Sequence, residues 1–323
     1  MDADLVLEGG GVKGIGLVGA VSLLAQRGYE FRRVAGTSAG AVVGALVAAG
    51  MKPERMEEVM REVDYRRFRD SSVLDRIPLV GTVLSITFEN GIYEGNYLKS
   101  WLAELLDDHG VRTFGDLRID DDPGSDLPPE RRYKLVVMTA DVSSGRLIRL
   151  PWDYQRRYGL DPDRQLVVDA VRASMSIPFF FEPVKLHNVQ TGKDNLLVDG
   201  GALSNFPIDA FDRTDGRPPR WPTFGVKLSA KPEANLRPLS MAGPLGLGLA
   251  LVATMANAHD QMHLDDPCVL ARTVLVDTDK VNPVDFNIGR PTQELLYANG
   301  RTAATKFLER WDWEAYLGRC RST

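Results

Sequence analysis

The chain predicts a three-layer α/β/α domain with a mainly parallel central sheet, and three short segments carry that prediction. Each joins an apolar, strand-like run to a glycine-rich turn: residues 4–7 lead into Glu8–Gly14, residues 31–35 into Gly36–Gly40, and residues 196–198 into Asp199–Gly201. The first two turns continue into helix-like stretches at 15–26 and 41–49. Strand, helix, strand, helix over residues 4–50 is a unit whose strands run parallel and need a crossover. With 323 residues, 44% of them apolar, the chain can bury a substantial core.

The remaining elements follow in order. Residues 53–64 form a charged amphipathic helix, and 97–108 form another with Trp101, Leu102, Leu105 and Leu106 on or near one face. Between them, 77–93 is apolar and glycine-rich and is expected to wall the site. The acidic, proline-containing stretch 116–132 reads as a solvated loop. Residues 133–140 resume as a core strand with 146–150 as its hairpin partner, 223–228 and 273–276 read as later strands, and 294–311 as a terminal helix. No repeat or low-complexity segment interrupts this pattern. Residues 1–323 thus read as one domain, with its core motifs in 4–50 and 134–210 and variable wall or lid regions at 66–132 and 229–290.

Chemistry concentrates in the three turns. Gly36-Thr37-Ser38-Ala39-Gly40 between a strand and a helix is a nucleophile elbow, in which Gly36 and Gly40 let strand and helix pass closely and leave Ser38 at the tip. The loop Gly9-Gly10-Gly11-Val12-Lys13-Gly14 exposes backbone N–H groups at a helix N-terminus and so favours negative charge. A P-loop is excluded, because Lys13 is followed by Gly14 with no Ser or Thr for magnesium. A dinucleotide fingerprint is satisfied by Gly9-x-Gly11-x-x-Gly14, with Glu30 sixteen residues past Gly14. The same amides also suit an oxyanion hole for serine attack on a carbonyl. Asp199, at a strand tip flanked by Gly200 and Gly201, is well placed to reach into a cleft, and Asn205-Phe206-Pro207 follows it.

The glycine loop, the Gly-x-Ser-x-Gly elbow and Asp-Gly-Gly, in this order, resemble the patatin-like phospholipase family, and so does the run 173–184, ASMSIPFFFEPV. The resemblance covers 4–50 and 134–210. It implies a patatin-like fold and a Ser–Asp dyad without histidine: Ser38 as nucleophile, Asp199 as base, and the amides of Gly9, Gly10, Gly11 and Val12 as the oxyanion hole. Lys13, Gly14, Gly36, Gly40, Gly200 and Gly201 are the supporting motif residues. Family members often carry Arg where this chain has Lys13; either supplies a cation beside the loop. The histidines agree, since His109 reads as a helix end, His187 as a strand end, and His259 and His263 as an i, i+4 pair on a polar helix face without a third metal ligand. Neither a metal nor a cofactor is expected.

An Asp of ordinary pKa, about 3.9, is a weak base for a serine hydroxyl, so direct contact, desolvation and strong oxyanion stabilisation must offset the mismatch. The expected activity is a serine lipid acyl hydrolase or esterase, phospholipase A-like, working through an acyl-enzyme. A dinucleotide-binding oxidoreductase using Gly9–Gly14 and a non-catalytic lipid-binding protein of the same fold are the alternatives. The expected partner is a lipid or ester substrate. A net charge of −5 argues against nucleic acid and supplies no polybasic region, although Arg66-Arg67, Arg131-Arg132 and Arg156-Arg157 are local basic spots. Trp152, Tyr154 and Tyr158 among Arg149, Arg156 and Arg157 suit either a lipid interface, with peripheral membrane contact, or packing under a loop. Phe179–Phe181 and the segment 243–255 suit an acyl groove or lid, with core burial as the default reading. Cys268 and Cys320 are too few for a disulfide framework and point to a reducing compartment. The acidic start lacks a secretory pattern, and the apolar stretch 241–256 is interrupted and short of about 20 residues, so a cytoplasmic protein is expected.

Overall fold

Strands that are apolar on successive residues must be covered on both faces. This is the case for β1 (Asp2–Leu7), β3 (Leu135–Asp141) and β7 (Thr223–Lys227), which are buried at every position except Asp2. A computed structural model describes residues 1–68, 93–119, 127–229, 254, 266–279 and 281–321. The expected wall segment at 77–93 apart from Tyr93, the expected lid at 243–255 apart from Thr254, and His259 and His263 lie outside these residues. With β2 (Glu30–Thr37), β4 (Arg146–Leu150), β5 (Val184–Asn188), β6 (Lys193–Asp199) and β8 (Thr273–Leu275), the described residues form an eight-stranded sheet. Its order is β5-β6-β3-β2-β1-β7-β8, with β4 branching from β3. The pairs β1/β2, β2/β3, β1/β7 and β7/β8 are parallel, and β3/β4, β3/β6 and β5/β6 are antiparallel. The sheet is therefore mostly parallel, with an antiparallel end.

The register on β3 positions the site. β2 pairs with β3 from Leu135 to Met138, and β6 pairs with it from Thr139 to Asp141. Because β4 pairs across from 137 to 141, it holds the opposite edge, and β2 and β6 share the other. They approach one another head-on. Their last residues, Thr37 and Asp199, face the consecutive residues Met138 and Thr139.

Helices α1 (Gly14–Gln26) and α2 (Ala39–Ala48) are apolar nearly all round and buried accordingly. By contrast, α3 (Pro53–Glu62) buries only Met56, Val59 and Met60, and α4 (Asn96–Asp107) buries Leu98, Leu102, Leu105 and Leu106. α5 (Val167–Ser174) packs on β3 and β6, and α6 (Pro267–Ala271) precedes β8. α7 (Arg290–Arg310) crosses α1 at close range: a methyl group on Gly300 would lie 2.0 Å from the Gly16 carbonyl oxygen, and one on Gly19 would lie 2.1 Å from that of Tyr297.

Two expectations are corrected. The terminal helix starts earlier than expected, at Arg290 with Pro291 in its first turn, and a further helix, α8 (Trp313–Cys320), follows it. The Asp312 side chain caps α8 by accepting from Ala315 N at 2.8 Å. The cysteines are not separate thiols: α8 folds back against α6, and Cys268 and Cys320 form a disulfide. A sequence separation of 52 residues gave no sign of this pairing.

Candidate active site

Ser38 ends β2 and begins α2 in a backbone conformation that side chains avoid, with φ +52° and ψ −123°. Such a conformation persists only where its surroundings over-determine it. Two close approaches do so. A methyl group on Gly36 would sit 2.3 Å from the Gly40 carbonyl oxygen, and one on Gly40 would sit 2.3 Å from that of Leu7, so only glycines let the elbow close over β1. The backbone is also pinned chemically: Ser38 N–H donates to Ser174 Oγ at 2.8 Å, and Ser174 Oγ donates to the Met138 carbonyl at 2.6 Å. The Ser38 carbonyl accepts from Ala41 and Val42, which starts α2.

Asp199 arrives from the other side of the junction. Its N–H donates to the Ser176 carbonyl at 2.9 Å, and its carboxylate accepts from Gly201 N at 2.8 Å in the turn formed by Gly200, Gly201 and Ala202. Ser38 Oγ meets the Met175 thioether at 3.5 Å and lies near enough to the Asp199 carboxylate to lower its pKa. Burial raises the Asp199 pKa from 3.8 to about 6, against the opposing hydrogen bonds from Ser38 and Gly201.

The glycine loop lies against the serine, as a methyl group on Gly9 would come within 3.1 Å of Ser38 Cβ. Its four amides are not equivalent. Gly9 N–H donates to the Asn205 carbonyl at 3.1 Å and Val12 N–H to the Pro283 carbonyl at 3.0 Å, whereas no acceptor among the described residues meets the N–H of Gly10 or Gly11. Gly11 has φ +54°, the left-handed region that favours glycine. Lys13 ends the short turn Gly11–Lys13, and Gly14 opens α1. Burial lowers the Lys13 pKa, opposed by Glu8 and Asp279.

Glu8, Ser174 and Asn205 complete the site; each lies in a segment that the sequence singled out, but nothing in the sequence gave it a role. Buried Glu8 at the tip of β1 accepts from Lys227 Nζ and Leu228 N, tying the start of the loop to the end of β7. Asn205 Nδ2 donates to the Gly9 carbonyl at 3.0 Å, so this residue holds both the N–H and the carbonyl of Gly9.

The dinucleotide reading fails on placement. Glu30 is the first residue of β2 and pairs with Asp2, whereas the glycine loop leaves the far end of β1, about 17 Å along the strand. His109 Nδ1 lies 3.0 Å from the Leu105 carbonyl, the helix-end contact expected of it, and His187 Nδ1 lies 2.9 Å from Asp194 on the β5–β6 pair. Phe181 is a core residue packed on Phe286, while Phe179 and Phe180 are half-buried. Among the described residues, no helix is long and apolar enough to cross a membrane.

Comparison with known proteins identifies the family and the fold. The chain is 36% identical over 314 residues to the uncharacterized protein YqhO of Bacillus subtilis, covering 97% of this chain and all of that one. It is 26% identical over 211 residues to lysophospholipase nte1 of Aspergillus niger, covering 64% of this chain but only 11% of that protein. Among solved structures, VipD from Legionella pneumophila shares the fold with a TM-score of 0.53 at 17% identity, over 95% of this chain and 66% of VipD. Residues 5–212, which hold the glycine loop, the elbow and the Asp199 turn, match the family described as patatin-like phospholipase. The chain belongs to the patatin-like phospholipase family.

Proposed function

We propose that the protein is a serine lipid acyl hydrolase that cleaves carboxylic esters through Ser38 and Asp199. The observation that carries this reading is the head-on meeting of β2 and β6 on one edge of β3, with the Asp199 pKa raised to about 6 by burial at that junction. A carboxylate of that pKa is a better base near neutrality than an ordinary aspartate. Ser38 Oγ attacks the ester carbonyl carbon while Asp199 takes its proton. The oxyanion is received by the N–H groups of Gly10 and Gly11, the two loop amides without a protein acceptor among the described residues. Collapse breaks the C–O bond, and Asp199 returns the proton to the departing alkoxide. Water then attacks the acyl-Ser38 ester, Asp199 takes a proton from it, and that proton goes back to Ser38 Oγ as the acid leaves.

The lipid part of the reading rests on the family and on relatives such as the Aspergillus lysophospholipase. The test is turnover of short and long chromogenic esters and of phospholipid vesicles, in the presence of chelator. Ser38→Ala and Asp199→Asn are each expected to lose nearly all turnover while keeping the wild-type circular dichroism spectrum. Substantial activity in folded Ser38→Ala protein would reject the mechanism, and preference for short soluble esters over vesicles would reject the lipid substrate.

A further inference from the structure

A concave feature that neither Ser38 nor Asp199 lines lies in the arginine-rich stretch that the sequence left divided between lipid contact and loop packing. The structure separates its two components. Tyr154 and Tyr158 are core residues, whereas Arg149 and Arg156 are exposed. Residues Tyr154–Tyr158 form a single π-turn, an uncommon conformation that recurs at functional sites. This turn, the β3–β4 turn and the β5–β6 hairpin enclose a cavity of about 480 Å³, into which Arg146, Arg156 and Arg157 contribute. Its floor is Asp141, at the end of β3 and about 10 Å along the strand from Met138.

The charges in this cavity are unevenly matched. Asp141 is buried and fully engaged by neutral donors: Oδ1 accepts from Ser143 N and Ser144 N, and Oδ2 from Tyr158 OH at 2.9 Å and Asn195 Nδ2 at 2.8 Å. Arg156 and Arg157 share one carboxylate, Asp153, at 2.7 and 3.1 Å. No carboxylate among the described residues pairs with Arg146. Three arginines thus line a cavity whose own carboxylate already accepts four hydrogen bonds. Arginines gathered around one cavity suit an oxyanion that accepts several charge-assisted hydrogen bonds.

We propose that this cavity binds a phosphate group, carried by an anionic lipid headgroup or by a soluble phosphate ester, at a site separate from Ser38 and Asp199. Its rim favours the lipid. Val142 and Val189 are 55% and 58% exposed, and each adjoins residues that line the cavity. Exposed aliphatic side chains beside a cationic mouth are the composition that settles on an anionic membrane surface.

The test measures binding, so it stands apart from catalysis. Wild-type protein is expected to sediment with vesicles of phosphatidylcholine mixed with phosphatidic acid and not with phosphatidylcholine alone, with the difference shrinking in high salt. Arg146→Glu should weaken that binding about tenfold or more, the scale of losing a charge-assisted contact. Arg156→Glu serves as an independent second variant, with folding of both followed by circular dichroism. Calorimetric titration with inorganic phosphate separates the sources. If Val142→Asp/Val189→Asp loses vesicle binding yet keeps phosphate binding, the lipid headgroup is the ligand. Phosphate binding without vesicle preference assigns the site to soluble esters. The proposal is overturned if neither probe binds wild type, or if both folded arginine variants bind as wild type does.

Discussion

Burial makes the Asp199 carboxyl reluctant to ionise, and this has opposite consequences for stability and catalysis. Its folded pKa, about 6, lies above the ordinary value of 3.8, so as pH rises the unfolded chain releases this proton first. The stability contributed by the protonated group is fully present below pH 4, falls as pH rises through 6, and is then constant at a deficit of about 3 kcal/mol. Asp199→Asn, which cannot ionise, should therefore gain stability relative to wild type between pH 4 and 7, by up to that amount. Urea unfolding of both proteins across this range measures the gap, and a gap independent of pH would rule out the raised pKa. Activity should run the other way, with kcat/KM for a soluble ester rising through an acid limb near pH 6 as the base becomes available. Ser38 and Asp199 were legible because each sits in a local strand-to-turn pattern. Their supports were not: Ser174, Asn205 and Glu8 act across sequence separations of 136, 196 and 220 residues, and in each of these contacts one partner is main chain, which carries no residue-specific signal.

Secondary-structure elements were readable where burial is continuous and less so where close approach decides. β1, β3 and β7 announce themselves by short apolar runs, at 5–7, 135–138 and 224–226, because both of their faces are covered. The hairpin partner of β3 also lies where the alternation at 146–150 suggested. The antiparallel arrival of β6 beside β2, which creates the site, has no local signature, since pairing order is a tertiary property. The crossing of α1 and α7 is a similar case. Glycine lowers helix propensity, yet Gly16, Gly19 and Gly300 lie inside these helices, where the two backbones touch. Gly300→Ala would improve intrinsic helix propensity by about 1 kcal/mol at an exposed site. At this crossing its methyl group would instead meet the Gly16 carbonyl at 2.0 Å and force the helices apart. A net loss of about 1–3 kcal/mol is expected, read as a lower denaturant midpoint, while Gly318→Ala in α8, where a methyl group meets open space, should be neutral or stabilising. Equal effects at both positions would contradict the close crossing.

At the scale of the whole molecule, the C-terminal region closes the β8 side of the sheet by three kinds of contact. Trp311 packs edge-on to Phe224 of β7 at 5.1 Å and stacks on Phe307 at 5.5 Å. Asp212 holds both Arg272, beside β8, and Arg321, after α8, in ion pairs of 2.6 and 2.9 Å. The disulfide Cys268–Cys320 then covalently joins the segment before β8 to the end of α8. Closing a loop across 52 residues restricts the unfolded chain enough to stabilise the fold by about 4 kcal/mol in the entropic account. The aromatic and ionic contacts span the same seam, so Cys268→Ser/Cys320→Ser should fold, with a lower unfolding midpoint and with amide exchange accelerated first in α8. Intact-mass measurement of oxidised wild type should show the loss of two hydrogens relative to reduced protein, and reductant should bring wild type to the midpoint of the double variant. Two free thiols in protein folded under oxidising conditions, or equal midpoints for wild type and variant, would show that the seam is held by the aromatic cluster and the Asp212 pairs without the covalent link.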